Sequence, residues 1–178
     1  MDAALAGGVD TLLVRENQMD SARLLAFASQ LRELTSHHEA RLIIHTQADI
    51  AKAIHADGVH LSSIEMNQIP VIREWLKSDE VTLSTSCHNE IELEFAHRFG
   101  ADFVFLSPVF ATKTHPDDEP LGITRFRELA ATPPLPVIAL GGISSMNRQQ
   151  LGDIPVAVIS AILDADNPRT EAEKLAQS

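Results

Sequence analysis

The chain has 178 residues, of which 25 are acidic and 14 are basic, so its formal net charge is −11. Domains average about 150 residues, so this length predicts one domain, residues 1–178. The acidity argues against non-specific nucleic-acid binding, which needs clustered Lys and Arg. No apolar run approaches the ~20 residues of a membrane-spanning helix, and one cysteine excludes an internal disulfide, so we expect a cytoplasmic protein with no membrane partner.

Seven short runs, rich in β-branched and other apolar residues, recur along the chain and predict seven strands. Most of them lack a clear alternation of apolar and polar residues, which favours strands buried on both faces, as in parallel sheets. In chain order they are residues 11–15, 41–45, 58–61, 81–86, 102–106, 135–140 and 156–160.

Amphipathic stretches between these runs predict helices, and residues 3–8 resemble the end of another helix. The clearest stretches are residues 21–36 and residues 89–99, the second of which stops at Gly100. Strands that alternate with helices imply right-handed crossovers, and two α/β architectures have them: a doubly wound open sheet, and a (β/α)₈ TIM-type barrel that lacks its first strand. No G-x-G-x-x-G motif follows the first strand, so a dinucleotide-binding fold gains no support.

Polar and glycine residues gather where the predicted strands end. In both architectures ligands bind beyond the carboxyl ends of the strands, although strand ends are polar in many proteins. The residues at this edge are Arg15, His45, His60, Ser86, His88, Thr112, Thr114, His115, Gly141, Gly142 and Ser160.

The sharpest local signal is Gly141-Gly142, which is followed by Ile143 and then by a helical stretch. Paired glycines let the backbone approach a ligand closely, and the following amides can point at an anion. Ser160-Ala161 forms a second junction one strand further on, and barrels often bind phosphate between the loops after their last two strands. The two junctions together predict a phosphate site; the alternative is an ordinary turn that needs glycine for its dihedral angles.

The histidines at the strand ends allow a metal site, since imidazole suits Zn²⁺ and iron. None of the spacings H-x-H, H-x-x-E-H or H-E-x-x-H is present, so structural or substrate-contacting roles are favoured. Cys87 is adjacent to His88, but neighbouring strand residues point to opposite faces, which predicts a buried, inert thiol rather than a nucleophile.

Six stretches at these junctions form a specific ordered set. They are Gly8-Val9-Asp10 through Arg15-Glu16, Ala56-Asp57-Gly58-Val59-His60-Leu61, Ser86-Cys87-His88-Asn89, Gly100-Ala101-Asp102 through Ser107-Pro108-Val109-Phe110-Ala111-Thr112, Ala139-Leu140-Gly141-Gly142-Ile143 and Val158-Ile159-Ser160-Ala161-Ile162. In this order and spacing the chain resembles the thiamine phosphate synthase/TenI family over nearly its whole length. The resemblance implies a (β/α)₈ barrel in which the seven strands are the second to the eighth.

The synthases of that family join an aminopyrimidine pyrophosphate to a thiazole phosphate and release pyrophosphate, with Mg²⁺. The small phosphorylated heterocycles are therefore the implied partners, and the catalytic groups would be Arg15, Ser86 and His115. By the same resemblance, the thiazole phosphate would lie on the backbone of Gly141, Gly142, Ser160 and Ala161, and the pyrimidine pyrophosphate near Arg15, Ser86, Thr112 and Thr114, with His45 and His88 as further binding residues.

The chain departs from the synthase pattern where pyrophosphate and metal are handled. Asn17 stands in place of a lysine, His45-Thr46 in place of Asn-Asp, and His115 in place of another lysine. Glu65 aligns with the second metal-binding aspartate and would reach further towards Mg²⁺. Neutral histidine does not supply the charge of lysine, so the resemblance supports the monophosphate end of the site better than it supports bound Mg²⁺.

Three hypotheses follow. The first is a thiamine phosphate synthase-like transferase of thiamine biosynthesis, and the second is a module that binds thiazole phosphate without coupling chemistry. The third is a thiazole tautomerase-like enzyme using His88 or His115, because the catalytic histidine of the TenI branch would fall at Pro108 here. The segment Ser107-Pro108-Val109 with His115-Pro116 is similar to a divergent subgroup often attached to Nudix domains.

The missing first strand has a consequence for assembly. A parallel sheet with an unpaired edge exposes main-chain donors and acceptors that can pair with another chain. The sequence therefore predicts a self-associated form in solution.

Overall fold

The computed structural model describes residues 1–112 and 119–176. Its strands are β1 (Thr11–Val14), β2 (Arg41–His45), β3 (Gly58–Leu61), β4 (Thr82–Cys87), β5 (Phe103–Leu106), β6 (Val137–Leu140) and β7 (Val156–Ala157). Its α-helices are α1 (Asp2–Leu5), α2 (Ser21–His37), α3 (Ala48–Ala53), α4 (Ile69–Leu76), α5 (Glu90–Arg98), α6 (Gly122–Ala131), α7 (Ser160–Leu163) and α8 (Pro168–Ala176), and two 3₁₀ helices span Ser63–Gln68 and Arg148–Leu151.

The seven strands form one parallel sheet in strictly sequential order, from β1 at one edge to β7 at the other. A doubly wound sheet reverses its strand order at a switch point, and this sheet does not, so the doubly wound alternative is wrong. The sheet curls, and its α/β architecture matches the TIM-type fold. Within the described ranges, β1 and β7 do not pair with each other.

One face of the sheet carries the core. Alternate strand residues on this outer face are fully buried and pack with apolar residues of the surrounding helices, such as Leu24, Leu93 and Phe126. The residues of this row are Leu42, Ile44, Val59, Leu61, Leu83, Val104, Leu106 and Ala139. Since successive side chains of a strand point to opposite faces, the other row defines an inner face.

The inner face is less covered and more polar. Leu13, Phe103, Ile138 and Leu140 are only partly buried there, although all are large and apolar. The register places His45 opposite His60, His60 opposite Ser84, and Ser86 opposite Phe105, so these side chains share the inner face. The curled sheet therefore presents a polar row inside its carboxyl end.

The last predicted strand is wrong at its end. β7 has only Val156 and Ala157, whereas Ser160 begins helix α7 after Ile159. Within the described residues β7 pairs only with β6, and this pairing ends at Ala157. Val158 and Ile159 are β-branched but have no partner strand there, so they do not extend β7. The predicted helix stop at Gly100 is confirmed, and this residue has a φ of 79°. Helix α8 begins at Pro168, where the Asn167 side chain accepts from the Thr170 amide at 3.1 Å.

No helix in the described part of the chain is long and apolar enough to cross a membrane.

Candidate functional site

The inner face holds a buried imidazole whose two nitrogens are both satisfied. His60 is 5% exposed, its Nδ1 lies 3.0 Å from the Ser84 hydroxyl, and its Nε2 lies 3.0 Å from the Ser86 hydroxyl. The ring packs edge-on against Phe105, with centroids 4.9 Å apart. Burial, with smaller contributions from His45 and Arg15, lowers the pKa of His60 to about 3, so this ring is neutral at physiological pH.

A second imidazole lies beside the first but is tied to a different group. His45 ends β2, its ring centroid is 5.8 Å from that of His60, and its Nδ1 lies 2.9 Å from the Thr46 hydroxyl. Thr46 has a φ of 63° and its hydroxyl donates to Glu65 Oε2 at 3.5 Å. Burial, followed by the nearby Arg15 cation, lowers the pKa of His45, and the Glu65 carboxylate opposes this.

Glu65 is held by the start of a 3₁₀ helix. Its Oε2 accepts from the Ser62 amide at 3.3 Å, and also from the Ser62 hydroxyl. Together with Thr46, the same carboxylate oxygen therefore meets three donors. This arrangement caps the helix and fixes the loop after β3.

The donor set around Glu65 does not fit a magnesium site. Mg²⁺ prefers near-octahedral oxygen ligands, usually with one or two carboxylates, and here one carboxylate is engaged as a cap beside an imidazole. Among residues 1–112 and 119–176, no three His, Cys, Asp or Glu side chains converge as metal ligands. Binding of Mg²⁺ by Glu65 remains a prediction of the sequence that these contacts do not support.

The predicted catalytic residues Arg15 and Ser86 lie on either side of the two imidazoles. Arg15 follows β1 and is exposed, and its charge acts on both rings. Ser86 is half-buried, and its hydroxyl is paired with His60. His115, the third predicted catalytic residue, and Thr114, a predicted binding residue, lie outside the described residues.

His88 follows β4 and is held at the start of helix α5. Its Nδ1–H donates to the Ser107 carbonyl at 2.7 Å, and its amide donates to Glu92 at 2.8 Å. The side chain is exposed, and the carbonyl partner leaves Nε2 with a lone pair when the ring is neutral. The structure gives no contact between His88 and the His45–His60 pair.

Cys87, on the opposite face from His88, is buried, as predicted. Burial, with a smaller effect of Glu92, raises the pKa of its thiol to about 12. A thiol in this state is not a nucleophile at neutral pH.

The glycine junction after β6 packs tightly against the loop after β5. Gly141 and Gly142 have φ values of 99° and 65°, and a Cβ added to Gly142 would lie 2.5 Å from the Ala111 carbonyl oxygen. The Phe110 amide donates to the Gly141 carbonyl at 3.0 Å. Thr112, a predicted binding residue, follows Ala111 directly and is half-buried.

The two predicted phosphate junctions follow paired strands. Leu140 of β6 is in register with Ala157 of β7, so the Gly141-Gly142 turn and the start of helix α7 at Ser160-Ala161 lie at the same edge of the sheet. The next amides are occupied, since Ser144 donates to Asn147 and Ser145 to Glu171. In the described part of the chain, no hydrogen bond is made by the amides of Gly142, Ile143, Ser160 and Ala161.

A neighbouring cleft of about 450 Å³ touches Ser160 and Ala161 but lies between α7 and α8. Its lining includes three carboxylates, Asp164, Asp166 and Glu171, against one cation, Lys174, and this excess of negative charge disfavours an anion. The Ser145 contacts lower the pKa of Glu171, which keeps it ionised at neutral pH. The predicted phosphate site at the strand-end junction is therefore distinct from this cleft.

Sequence reasoning placed His60 and Ser84 at the strand ends but did not assign either residue to the ligand site. Part of the relationship was visible in the sequence, because Ser84 and Ser86 are two residues apart on one strand and so point to the same face. His60 is paired with Ser84 in the sheet and points to that face too. The missing information was the register between β3 and β4, which a single sequence does not display.

A parallel α/β sheet of TIM type, with polar groups and unpaired amides at the carboxyl ends of its strands, belongs to the class that binds small ligands at that end. Within this class, the chain belongs to the thiamine monophosphate synthase family, whose defining pattern matches residues 1–164.

Individual relatives agree with this assignment. The chain is 35% identical to a thiamine-phosphate synthase of Clostridium novyi, over 99% of this chain and 87% of that protein. It is 33% identical to a thiamine-phosphate synthase of Chloroflexus aurantiacus, over 98% of this chain and 82% of that protein. A thiamine phosphate pyrophosphorylase from Pyrococcus furiosus has the same fold, with a TM-score of 0.87 and 29% identity over 98% of this chain and 84% of that one.

Proposed function

We propose that this chain acts in thiamine biosynthesis as a thiamine phosphate synthase, joining an aminopyrimidine pyrophosphate to a thiazole phosphate. The observation that carries the proposal is the pair of adjacent junctions at which the amides of Gly142, Ile143, Ser160 and Ala161 are left without partners in the described residues. Backbone N–H groups in such an arrangement bind a phosphate without a nearby lysine, and the family relationship supplies the identity of the ligand.

The remaining parts of the site suit an uncharged ring and an anionic leaving group. His60, Ser84 and Ser86 form a neutral, hydrogen-bonded wall on the inner face. Arg15 is the exposed cation at the same end, and a guanidinium pairs well with the oxygens of a phosphate. In the reaction, Arg15 would stabilise the departing pyrophosphate, and the inner wall would hold the pyrimidine against the thiazole nitrogen.

We also infer that the seven strands correspond to seven of the eight strands of a (β/α)₈ barrel. Their sequential, all-parallel order and the 0.87 TM-score to the Pyrococcus furiosus protein support this correspondence. The partners in this proposal are small phosphorylated heterocycles. Cytoplasmic location and the absence of nucleic-acid and membrane partners remain predictions of the sequence.

A second function is favoured by one observation. Glu65 is engaged as a helix cap, and within residues 1–112 and 119–176 it belongs to no group of three His, Cys, Asp or Glu side chains that could hold a metal ion. A chain with an intact monophosphate end and no assembled metal ligands would bind thiazole phosphate without coupling it. This module is the alternative to the synthase.

One experiment separates the two functions. The purified chain is incubated with both phosphorylated substrates and Mg²⁺, and thiamine phosphate is measured by fluorescence after oxidation, with heat-denatured protein as the control. Product above the control supports the synthase. Calorimetric binding of thiazole phosphate without product, with Mg²⁺ or Mn²⁺, would replace it by the binding module, and absence of both would remove both functions.

A further inference from the structure

Two neighbouring imidazoles on the inner face differ in what they can still bind. His60 uses both ring nitrogens on serine hydroxyls and is buried. His45 is half-buried and uses Nδ1 on Thr46, while its Nε2 has no hydrogen-bond partner in the described residues. His45 is therefore the ring of the pair that has a nitrogen available to a ligand.

The hydrogen bonds around Thr46 determine which nitrogen carries the proton. The Thr46 hydroxyl donates its single proton to Glu65 Oε2, at 3.5 Å. The Thr46 oxygen then accepts from the His45 ring, which places the proton on Nδ1 at 2.9 Å. In a neutral imidazole the other nitrogen, Nε2, has a lone pair.

The surroundings of His45 favour the neutral ring. The charged and titratable groups that face it are Arg15 beyond β1, His60 on β3 and Glu65 on the 3₁₀ helix. The cation and the burial of the ring lower its pKa, and they outweigh the carboxylate. The proton on Nδ1 and the lone pair on Nε2 are thus the state expected at physiological pH.

We propose that His45 Nε2 accepts a hydrogen bond from an amino group on the ring of the substrate, and that Thr46 is a positioning residue that fixes the required tautomer through Glu65. The inner face would thereby distinguish an aminopyrimidine from a ring that lacks the amine, because only the amine pairs with the lone pair. The identity of the ring rests on the proposed function, whereas the tautomer of His45 does not.

The tautomer is tested first, on the full chain with ¹⁵N-labelled histidine, by long-range ¹H–¹⁵N correlation at pH 7.5. His45→Gln assigns the signals of His45. We expect the proton on Nδ1 in the unmodified chain and in Thr46→Ser, and a majority of Nε2–H in Thr46→Val, which keeps the β-branch but removes the hydroxyl. An Nε2–H ring in the unmodified chain, or no change in Thr46→Val, would overturn the inference.

Ligand recognition is tested with 4-aminopyrimidine and with pyrimidine, which lacks the amine. We expect 4-aminopyrimidine to shift the His45 Nε2 signal, pyrimidine not to do so, and His45→Ala to weaken 4-aminopyrimidine binding about tenfold, with His45→Gln restoring part of it through its amide oxygen. Equal responses to the two rings, or no response to either, would overturn the acceptor role. The proposed synthase fails separately, when no thiamine phosphate is formed.

Discussion

Arg32 on helix α2 lies 2.6 Å from the carboxylate of Asp57, the residue just before strand β3. The same carboxylate oxygen accepts from the Leu42 amide at 2.6 Å, and the Asp57 amide donates to the Leu42 carbonyl at 2.8 Å. Asp57 thus ties two neighbouring strands and a helix together at the amino ends of the strands.

The arrangement is repeated two strands further on. Asp102 accepts from the Leu83 amide at 2.6 Å and from Arg73 at 2.8 Å, and its own amide donates to the Leu83 carbonyl at 2.8 Å. Both aspartates follow an alanine in the stretches Ala56-Asp57 and Ala101-Asp102. The amino ends of barrel strands are where residues serve stability, so these repeats have a structural role.

Replacing Asp57 by alanine is expected to destabilise the chain. The Leu42 amide and the Arg32 guanidinium lose their shared acceptor, which costs about 1–3 kcal/mol of unfolding free energy. The measurement is urea denaturation followed by circular dichroism, with Asp49→Ala on the exposed side of α3 as the matched control. Equal stability of the two variants would show that the Asp57 contacts contribute nothing.

His60 makes stability depend on pH below neutrality. Its pKa is about 3 in the folded chain against about 6.5 when unfolded, so between these values the unfolded state binds the additional proton. The His60 contribution is therefore complete above pH 6.5 and is lost as pH falls, at up to about 1.4 kcal/mol per pH unit.

The comparison that isolates this effect is the pH dependence of urea midpoints for the unmodified chain and for His60→Gln. Glutamine cannot titrate, so the slope between pH 6.5 and 4.5 is expected to be smaller in the variant. Parallel slopes for the two proteins would assign the acid sensitivity to other groups.

Gly142→Ala is expected to lose both stability and phosphate binding. The added Cβ would lie 2.5 Å from the Ala111 carbonyl oxygen, and the residue has a φ of 65°. Gly100→Ala has a similar positive φ of 79° with no atom within 4 Å, so it isolates the backbone strain of about 1–2 kcal/mol.

Thermal unfolding and calorimetric titration with thiazole phosphate measure the two effects. We expect Gly142→Ala to unfold at a lower temperature than Gly100→Ala and to bind the phosphate at least tenfold more weakly. Unchanged phosphate affinity in Gly142→Ala would remove this turn from the site.

The unpaired edge strands lead us to expect that the chain self-associates in solution. β1 and β7 each pair on one side within the described residues, and the inner face leaves Leu13, Ile138 and Leu140 partly exposed. Light scattering at several concentrations is expected to give a mass above the 19.4 kDa of one chain. A constant monomer mass over that range would contradict the prediction.

The short apolar runs of the sequence were sufficient to predict the seven strands and their parallel pairing. The apolar runs identified every strand to within two residues at its start, because buried parallel strands are continuous and short. The end of the last strand was not predictable, since Val158 and Ile159 have β propensity but no neighbour beyond β7. Propensity alone does not show where a ladder stops.

The sequence predicted many of the residues at the candidate site, but it did not predict the hydrogen bonds between them. Gly141-Gly142 and Ser160-Ala161 were found from the chain, and their adjacency follows from the pairing of β6 with β7. The capping of Glu65 by Ser62 and Thr46 was not foreseen, because it depends on the positive φ of Thr46 and on a loop conformation after β3. Likewise, the use of Ser86 by His60 depends on strand register.

The paired aspartates Asp57 and Asp102 lie at one rim of the sheet, and the imidazoles of His45 and His60 belong to the opposite half of their strands. Substitutions at these histidines and their hydroxyl partners therefore do not remove the Asp57 and Asp102 hydrogen bonds that hold the strands together. The residues of the candidate site can therefore change at one end of the strands while the contacts that stabilise the fold are kept at the other end.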